Sequence, residues 1–484
     1  MLGPMSDWET VIGLECHVEL NTRTKMFCGC LNTFGDEPNT HTCPVCLGHP
    51  GSLPVPNREA IRRIITIGLA LSCRIETHSV FHRKNYFYPD MPKNYQISQY
   101  DLPVCVGGWL DVDRADGSTS RIGITRVHME EDTGKTTHAS ESGRIHAAEA
   151  ALLDFNRAGV PLVECVSEPD IRSPEEAADY LRELRSTLEA LDVSDVRMEE
   201  GSLRCDANVS IRRPGAEELG TKVEIKNMNS VRSLERALTY EAARQIAALE
   251  AGGSLVQETR HWDEDAGVTH PMRSKEEAFD YRYFPEPDIP PIEPNASWVD
   301  ELAAALPELP RSKRERYRRE LGVEPEIARV LVADRGSATL FDQTIELGAD
   351  PAAVARWVTQ DVAALRNAGG EGALTGQHVA DLIRLVDDGI LSGSAAKQTL
   401  EAAYRSGDPI EEVVEREGLR QVSDEGELSR WADEVIEAEV EAAEKFRAGK
   451  EGVIGFLVGQ LMKKAKGAAN PQLAQEILRE RLRR

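Results

Sequence analysis

Three stretches of the chain alternate apolar and polar side chains with few errors, the period of a half-buried strand. In residues 12–20, Glu15, His17 and Glu19 fall on one face, while Leu14, Cys16, Val18 and Leu20 fall on the other. In residues 199–212, Arg204, Asp206, Asn208, Ser210 and Arg212 oppose Cys205, Ala207, Val209 and Ile211. Residues 222–227 repeat the pattern with Lys222, Glu224 and Lys226 on the polar side. Between these stretches, residues 59–71, 173–191 and 230–250 carry helical periodicity. The second has Ser173 as N-cap, Pro174 in its first turn, and Glu175 and Glu176 at the positive end of the helix dipole. The pattern predicts an α+β fold: an antiparallel sheet with helices on its apolar face and its polar face open to a cavity.

Two further strands add acids to that face. Residues 123–135 bring three consecutive acids, Glu130, Glu131 and Asp132, after a strand-like segment. Glu130 and Glu131 point to opposite faces of a continuing strand, so only one enters a shared cavity. Residues 161–170 set Glu164 in an otherwise apolar strand, where a lone carboxylate is costly without a partner. Carboxylates with an imidazole suit a divalent cation, magnesium or manganese. Ordinary half-exposed strands also carry Glu and His, and recurrence over several strands is what favours the metal. Neither G-x-x-x-x-G-K-[ST] nor G-x-G-x-x-G opens a helix here. A bound nucleotide would therefore lie on the open sheet face with metals bridging its phosphates. The charges of Glu15, His17, Glu131, Glu164 and Glu224 against Lys226 and Arg204 suit that task. Residues 83–101 form a long polar-aromatic loop, in which Arg83, Lys84 and Lys93 either face phosphates or belong to a packed surface.

Beyond a proline-dense segment at 280–294 the chain turns helical, and beyond 350–375 the helices become short and alanine-rich. The basic run 311–319 is either a solvated helix face or an RNA contact; Lys463, Lys464, Lys466 and the Arg-rich residues 479–484 are further candidates for RNA backbone. A net charge of -25 means that RNA is not held by the overall field, but by local patches or a partner chain. With 484 residues there is room for two to four domains. The N-terminus lacks the plan of a signal peptide and no apolar run is long enough to span a bilayer, which predicts a cytoplasmic protein without membrane contact. In a reducing compartment, Cys28 and Cys30 (C-x-C) with Cys43 and Cys46 (C-x-x-C) fit a closed, tetrahedral, structural zinc knuckle.

The stretches 11–20, 83–90, 168–173, 200–208 and 280–288, with the Phe-Leu-Val-Gly-Gln helix at 456–460, closely resemble the GatB/GatE family of tRNA-dependent amidotransferases. The likeness runs in order over nearly the whole chain, and no large domain interrupts it, which is the GatB pattern. The resemblance implies a glutamine synthetase-like cradle at 1–293, a helical domain at 294–408 and a YqeY-like, tRNA-gripping tail at 409–484. It implies a GatCAB heterotrimer with GatA, which releases ammonia from glutamine, and GatC. That complex converts Glu-tRNA(Gln) to Gln-tRNA(Gln), and often Asp-tRNA(Asn) to Asn-tRNA(Asn), using ATP and Mg2+. By motif, the family's metal residues fall on Glu15, His17, Glu131, Glu164 and Glu224, with Lys84 near the ammonia channel. Glu131, Lys84 and Glu15 would be catalytic, and Arg204, Asp206, Asn208 and Lys226 would face ATP. Two alternatives stand beside this reading: a stand-alone glutamine synthetase-like ligase, against which the tail argues, and a non-catalytic tRNA scaffold, which lost metal ligands would favour.

Overall fold

The computed structural model describes residues 7–114, 117–138, 150–272, 281–369, 372, 374–421, 425–465 and 469–483. Lys466 and Arg484 lie outside them. The chain divides into two compact units, Met1–Pro310 and Arg311–Arg484.

The first unit is built on a large sheet. Its strands are β1 (Glu9–Glu19), β2 (Arg74–Ile75), β3 (His82–Asn85), β4 (Tyr95–Ser98), β5 (Cys105–Asp113) and β6 (Thr119–Glu131). A separate pair, β7 (Lys135–His138) and β8 (Ala151–Asp154), follows, then β9 (Pro161–Ser167), β10 (Leu203–Arg212), β11 (Val223–Met228), β12 (Glu258–Asp263), β13 (Val268–Pro271) and β14 (Phe284–Pro285). The order across the sheet is β13-β12-β11-β10-β1-β9-β6-β4-β3-β14, with β5 paired to β6 and β2 to β5. Strand β1 lies near the middle, between β10 and β9. The expected antiparallel sheet is in fact mixed, because β11 and β12 run parallel. The 20-residue helix between them carries the chain back to the end at which β11 began, as a parallel pair requires.

Three helices cover one face: α1 (Arg58–Ala70), α2 (Pro174–Ala190) and α3 (Val231–Glu250). Their starts are set by side chains that accept orphan backbone N–H groups. Asn57 accepts from Glu59 and Ala60, Ser173 from Glu176 and Ser230 from Ser233. Ile64 and Ile67, Tyr180, Leu181 and Leu184, and Leu234 and Leu238 pack onto Leu14, Cys16, Val18, Met129, Val163, Cys205 and Ala207 in one core. A fourth helix, α4 (Ala296–Ala304), adds Leu302 to that core and sets Trp298 under the Arg58 guanidinium at 5.8 Å. The first unit therefore extends past residue 293, where the proline-dense segment suggested it would end.

The second unit is helical and has two cores. One gathers residues from Tyr317 to Val414, the other residues from Leu428 to Leu482. Helix Ile410–Glu417 packs into the first of these, so the division lies beyond Leu419 and not at 409. The basic helix Pro310–Arg319 is partly committed to this packing: Lys313, Arg316 and the Tyr317 hydroxyl all donate to Asp342, at 2.7, 3.0 and 2.9 Å. Lys464 pairs with Glu434, and Arg481 with Asp433 at 3.0 Å.

Two outcomes follow from these faces. Leu14→Ala, on the buried side of β1, lowers the unfolding free energy by about 2–5 kcal/mol in urea denaturation, whereas Glu15→Gln, on the other side, changes it by less than about 0.5 kcal/mol. Burial opposes ionisation of Asp342, but its bonds from Lys313, Arg316 and Tyr317 hold its carboxyl below the usual range. The stability it contributes is present above the ordinary aspartate pKa and is lost as pH falls through the depressed one. Asp342→Asn should flatten the acid limb of the second unit's stability, measured by circular dichroism below about pH 4.

Candidate active site

Cross-strand register sorts the polar side chains. His17 on β1 sits opposite Glu164 on β9, which sits opposite His128 on β6. Glu130 lies opposite Ser98 of β4, and Lys84 of β3 lies opposite Gln96, two residues back on β4. On the other flank Glu15 pairs with Asp206, His17 with Arg204, and Asn208 with Glu224. Directly opposed residues share a face, so these side chains from seven strands line the side of the sheet away from α1, α2 and α3.

At the centre, His17, Glu130 and Glu164 bring ligand atoms within 4.8 Å of one another. His128 Nε2 stands 3.1 Å from a Glu164 oxygen and 3.4 Å from a Glu130 oxygen, and His17 Nε2 lies 3.7 Å from Glu164. Ser98 Oγ and Gln96 Nε2 donate to the two oxygens of Glu130 at 2.8 and 3.0 Å. Burial opposes the charge of Glu130, but Lys84, His128 and His17 outweigh it and hold the carboxyl below its usual range. Burial likewise opposes Glu164, and His128 pulls it down. His128 is desolvated, yet Glu164 and Glu130 raise its pKa to about 9, so it carries charge. Lys84 is also raised against the effect of burial, through Glu130 and the phenols above it, and its Nζ lies 5.0 Å over the Tyr281 ring.

Glu131, expected among the metal ligands, is turned to the opposite side of β6. Its carboxylate accepts from Ile97 N at 2.9 Å and pairs with Lys93 in a buried ion pair. The cause is strand phase: Glu131 follows Val127 and Met129 on the covered face, and Glu130 follows His128 on the open one. Lys93 is thereby committed as well, and Arg83 is engaged by Glu286 at 2.6 and 2.8 Å. The stretch expected as one long loop holds β3 and β4, and of its three bases Lys84, on β3, is the one beside the acidic cluster.

The remaining residues form two flanking groups. In one, Asn208 donates to Glu15 at 2.8 Å, Lys226 to Asp206 at 2.6 Å, and Glu224 is held by Lys226 at 3.1 Å and Thr259 at 2.7 Å. Glu15 and Glu224 thus stand apart from the central cluster. In the other, Arg204 binds Asp132 at 2.6 Å. Burial first, and Asp132 next, raise the Glu19 carboxyl to about 8. A cavity of about 730 Å3 opens there, lined by Glu19, Lys135, Arg157, Arg204 and Asn229 among others. Sequence patterning did not reveal His128 or Asp132 as members of the site, although both share the phase of Glu130.

A divalent cation fits the central group. It offers two ionised carboxylates and an imidazole within one ion's reach. A second group, Cys28, Cys30, Cys43 and Cys46, likewise gathers its sulfurs within 4.8 Å. Four thiols at that separation match a tetrahedral zinc site.

Residues 10–300 match the model of the GatB/GatE catalytic domain, and residues 339–482 match that of the GatB domain. The chain belongs to the GatB/GatE family. It is 50% identical over 482 residues to a protein of Carboxydothermus hydrogenoformans named as the B component of aspartyl/glutamyl-tRNA(Asn/Gln) amidotransferase, covering 99% of both chains. A protein of the same name from Anaeromyxobacter dehalogenans (strain 2CP-1) is 51% identical over 487 residues, again covering 99% of each. Another, from Caldanaerobacter subterraneus, is 50% identical over 479 residues, covering 98% of this chain and 99% of its own. The central cluster and its flanks all lie inside the catalytic match. No helix among the described residues is long and apolar enough to cross a membrane.

Exchanging the two adjacent glutamates separates site from scaffold. Glu130→Gln should weaken manganese binding, followed by electron paramagnetic resonance, on the order of tenfold or more. Glu131→Gln should leave that affinity in place and, by stranding Lys93, lower stability by about 3–5 kcal/mol.

Proposed function

We propose that the open sheet face activates the side-chain carboxylate of Glu-tRNA(Gln), Asp-tRNA(Asn) or both, as the ATP-dependent half of a cytoplasmic tRNA-dependent amidotransferase. The observation that carries this reading is the cluster of His17, Glu130 and Glu164 with Lys84 beside it. Full-length relatives named as the B component of such an amidotransferase support it.

A carboxylate is a poor acyl donor until one oxygen becomes part of a leaving group. One carboxylate oxygen of the aminoacyl group attacks the γ-phosphorus of ATP, and ADP departs. Ammonia then attacks the acyl carbon, phosphate leaves, and a proton is lost to give the amide. Magnesium held by His17, Glu130 and Glu164 would neutralise charge between the two reacting anions. Lys84 adds a fixed positive charge at the edge of the cluster, where it can orient the carboxylate being activated. Arg204, Lys226 and Asn208 would position the nucleotide along the flanks, with Glu15 and Glu224 holding those groups in place. Because both bases are tied to acids on the same face, their geometry is set before substrate arrives. Ammonia would come from a GatA partner in a trimer with GatC, the helical unit would contact tRNA, and the four-cysteine knuckle would hold structural zinc.

The intact cluster is what a catalytic component needs and a pure scaffold does not. Co-purified with its amidase partner, the chain should release phosphate from ATP only with magnesium and Glu-tRNA(Gln) or Asp-tRNA(Asn), and Glu130→Gln should abolish the release. Release with free glutamate alone would indicate a small-substrate ligase, and no release under any condition would leave the scaffold.

A further inference from the structure

Lys25 is wholly buried, yet among the described residues no carboxylate lies within ion-pairing distance of its ammonium. Its Nζ donates to the His41 carbonyl at 2.7 Å, to the Phe155 carbonyl at 3.1 Å and to Cys46 Sγ at 3.8 Å. These three contacts use its three donors. Carbonyls supply dipoles but no full charge, and a buried ammonium without a counter-charge is strongly disfavoured. Of the three acceptors, only the sulfur of Cys46 can carry a whole negative charge. The Cys43 backbone N–H converges on the same sulfur at 3.1 Å, a second donor directed at a thiolate.

Four neutral thiols would leave Lys25 uncompensated. Loss of four protons to solvent as one Zn2+ binds gives four thiolates around a dication, a group with two surplus negative charges, and Lys25 cancels one of them. We infer that Lys25 is the counter-cation of the cysteine knuckle and that its charge sets how tightly the knuckle holds zinc. The surroundings give it little freedom to do otherwise. Met26 N donates to Gly159 O at 2.8 Å, and Gly159 N donates to Asp132 O at 2.9 Å. Gly159 has a φ of +89°, and a Cβ there would stand 3.6 Å from both Cys46 Cβ and Lys25 Cδ and 3.8 Å from a Glu131 oxygen. The Lys25 and Cys46 side chains therefore pack together around Gly159, close to the Glu131 carboxylate.

This inference rests on the zinc reading of the knuckle, and the test separates the two. Zinc affinity of the full chain is measured by chelator competition at fixed pH, with Co2+ absorption as a check on thiolate ligation. Wild type should bind one zinc, Lys25→Met should bind it about 10–100-fold more weakly, and Lys25→Arg, which keeps the charge, should stay close to wild type. A wild-type chain that takes up no zinc overturns the zinc reading itself. Wild-type binding with unchanged affinity in Lys25→Met overturns the role of Lys25 alone, as does an equal loss in Lys25→Met and Lys25→Arg, which would mean packing and not charge. Should Lys25→Met fail to fold, amine acylation of the wild-type chain decides. Lys25 should be protected with zinc bound and modified at least about tenfold faster after chelation of the metal; equal rates overturn the proposal.

Discussion

A carboxylate taken out of water must be met by positive charge, and the first unit is arranged to satisfy that requirement many times on one sheet face. Glu130 and Glu164 are ionised because His128, His17 and Lys84 surround them. Asp132 is matched by Arg204, and Asp206 by Lys226. At the centre, antiparallel register sets His17 and His128 directly opposite Glu164 from its two neighbouring strands, and a slip of one residue in β1 would turn His17 to the other face. The same register drives Leu14, Cys16 and Val18 into the helix-covered core. Packing of the apolar side thus fixes the geometry of the polar side. The site inherits its precision from the core.

Much of this was legible in the chain. The alternation in β1 and β10 gave both faces correctly, and Ser173 as N-cap gave the start of α2. The spacing of Cys28, Cys30, Cys43 and Cys46 gave a cluster that the fold does assemble. What escaped was phase and partnership. Glu130 and Glu131 are adjacent acids, and an irregularity between Ile124 and Arg126 interrupts the alternation that would tell them apart. Counting back only as far as Met129 and Val127 would have put Glu131 with the apolar set. Lys93 looked available for phosphate because its partner, Glu131, is 38 residues away. The parallel pairing of β12 was hidden for a related reason: the strand's own sequence does not state which neighbour it will join.

The covered side of β6 carries its own electrostatics. Glu131 and Lys93 form a buried pair there, and Lys25 reaches the sulfur of Cys46 nearby. Gly48 of the knuckle packs on Lys93 so closely that a Cβ would come within 2.6 Å of its Cγ. Adjacent residues of one strand therefore face opposite ways: Glu130 joins His17 and Glu164 on the open face, and Glu131 pairs with Lys93, on which Gly48 of the cysteine knuckle packs. In the second unit the basic run that resembled an RNA contact is partly spent on Asp342, so its contribution to stability constrains what remains for a ligand.

The central claim is that the catalytic cation sits among His17, Glu130 and Glu164. Anomalous diffraction from manganese-soaked crystals of the complex tests it most directly. A peak bonded to those three residues, at about 2.0–2.2 Å from their oxygens and nitrogen, is the expected result. A peak on Glu131, or none on this face, would contradict the account.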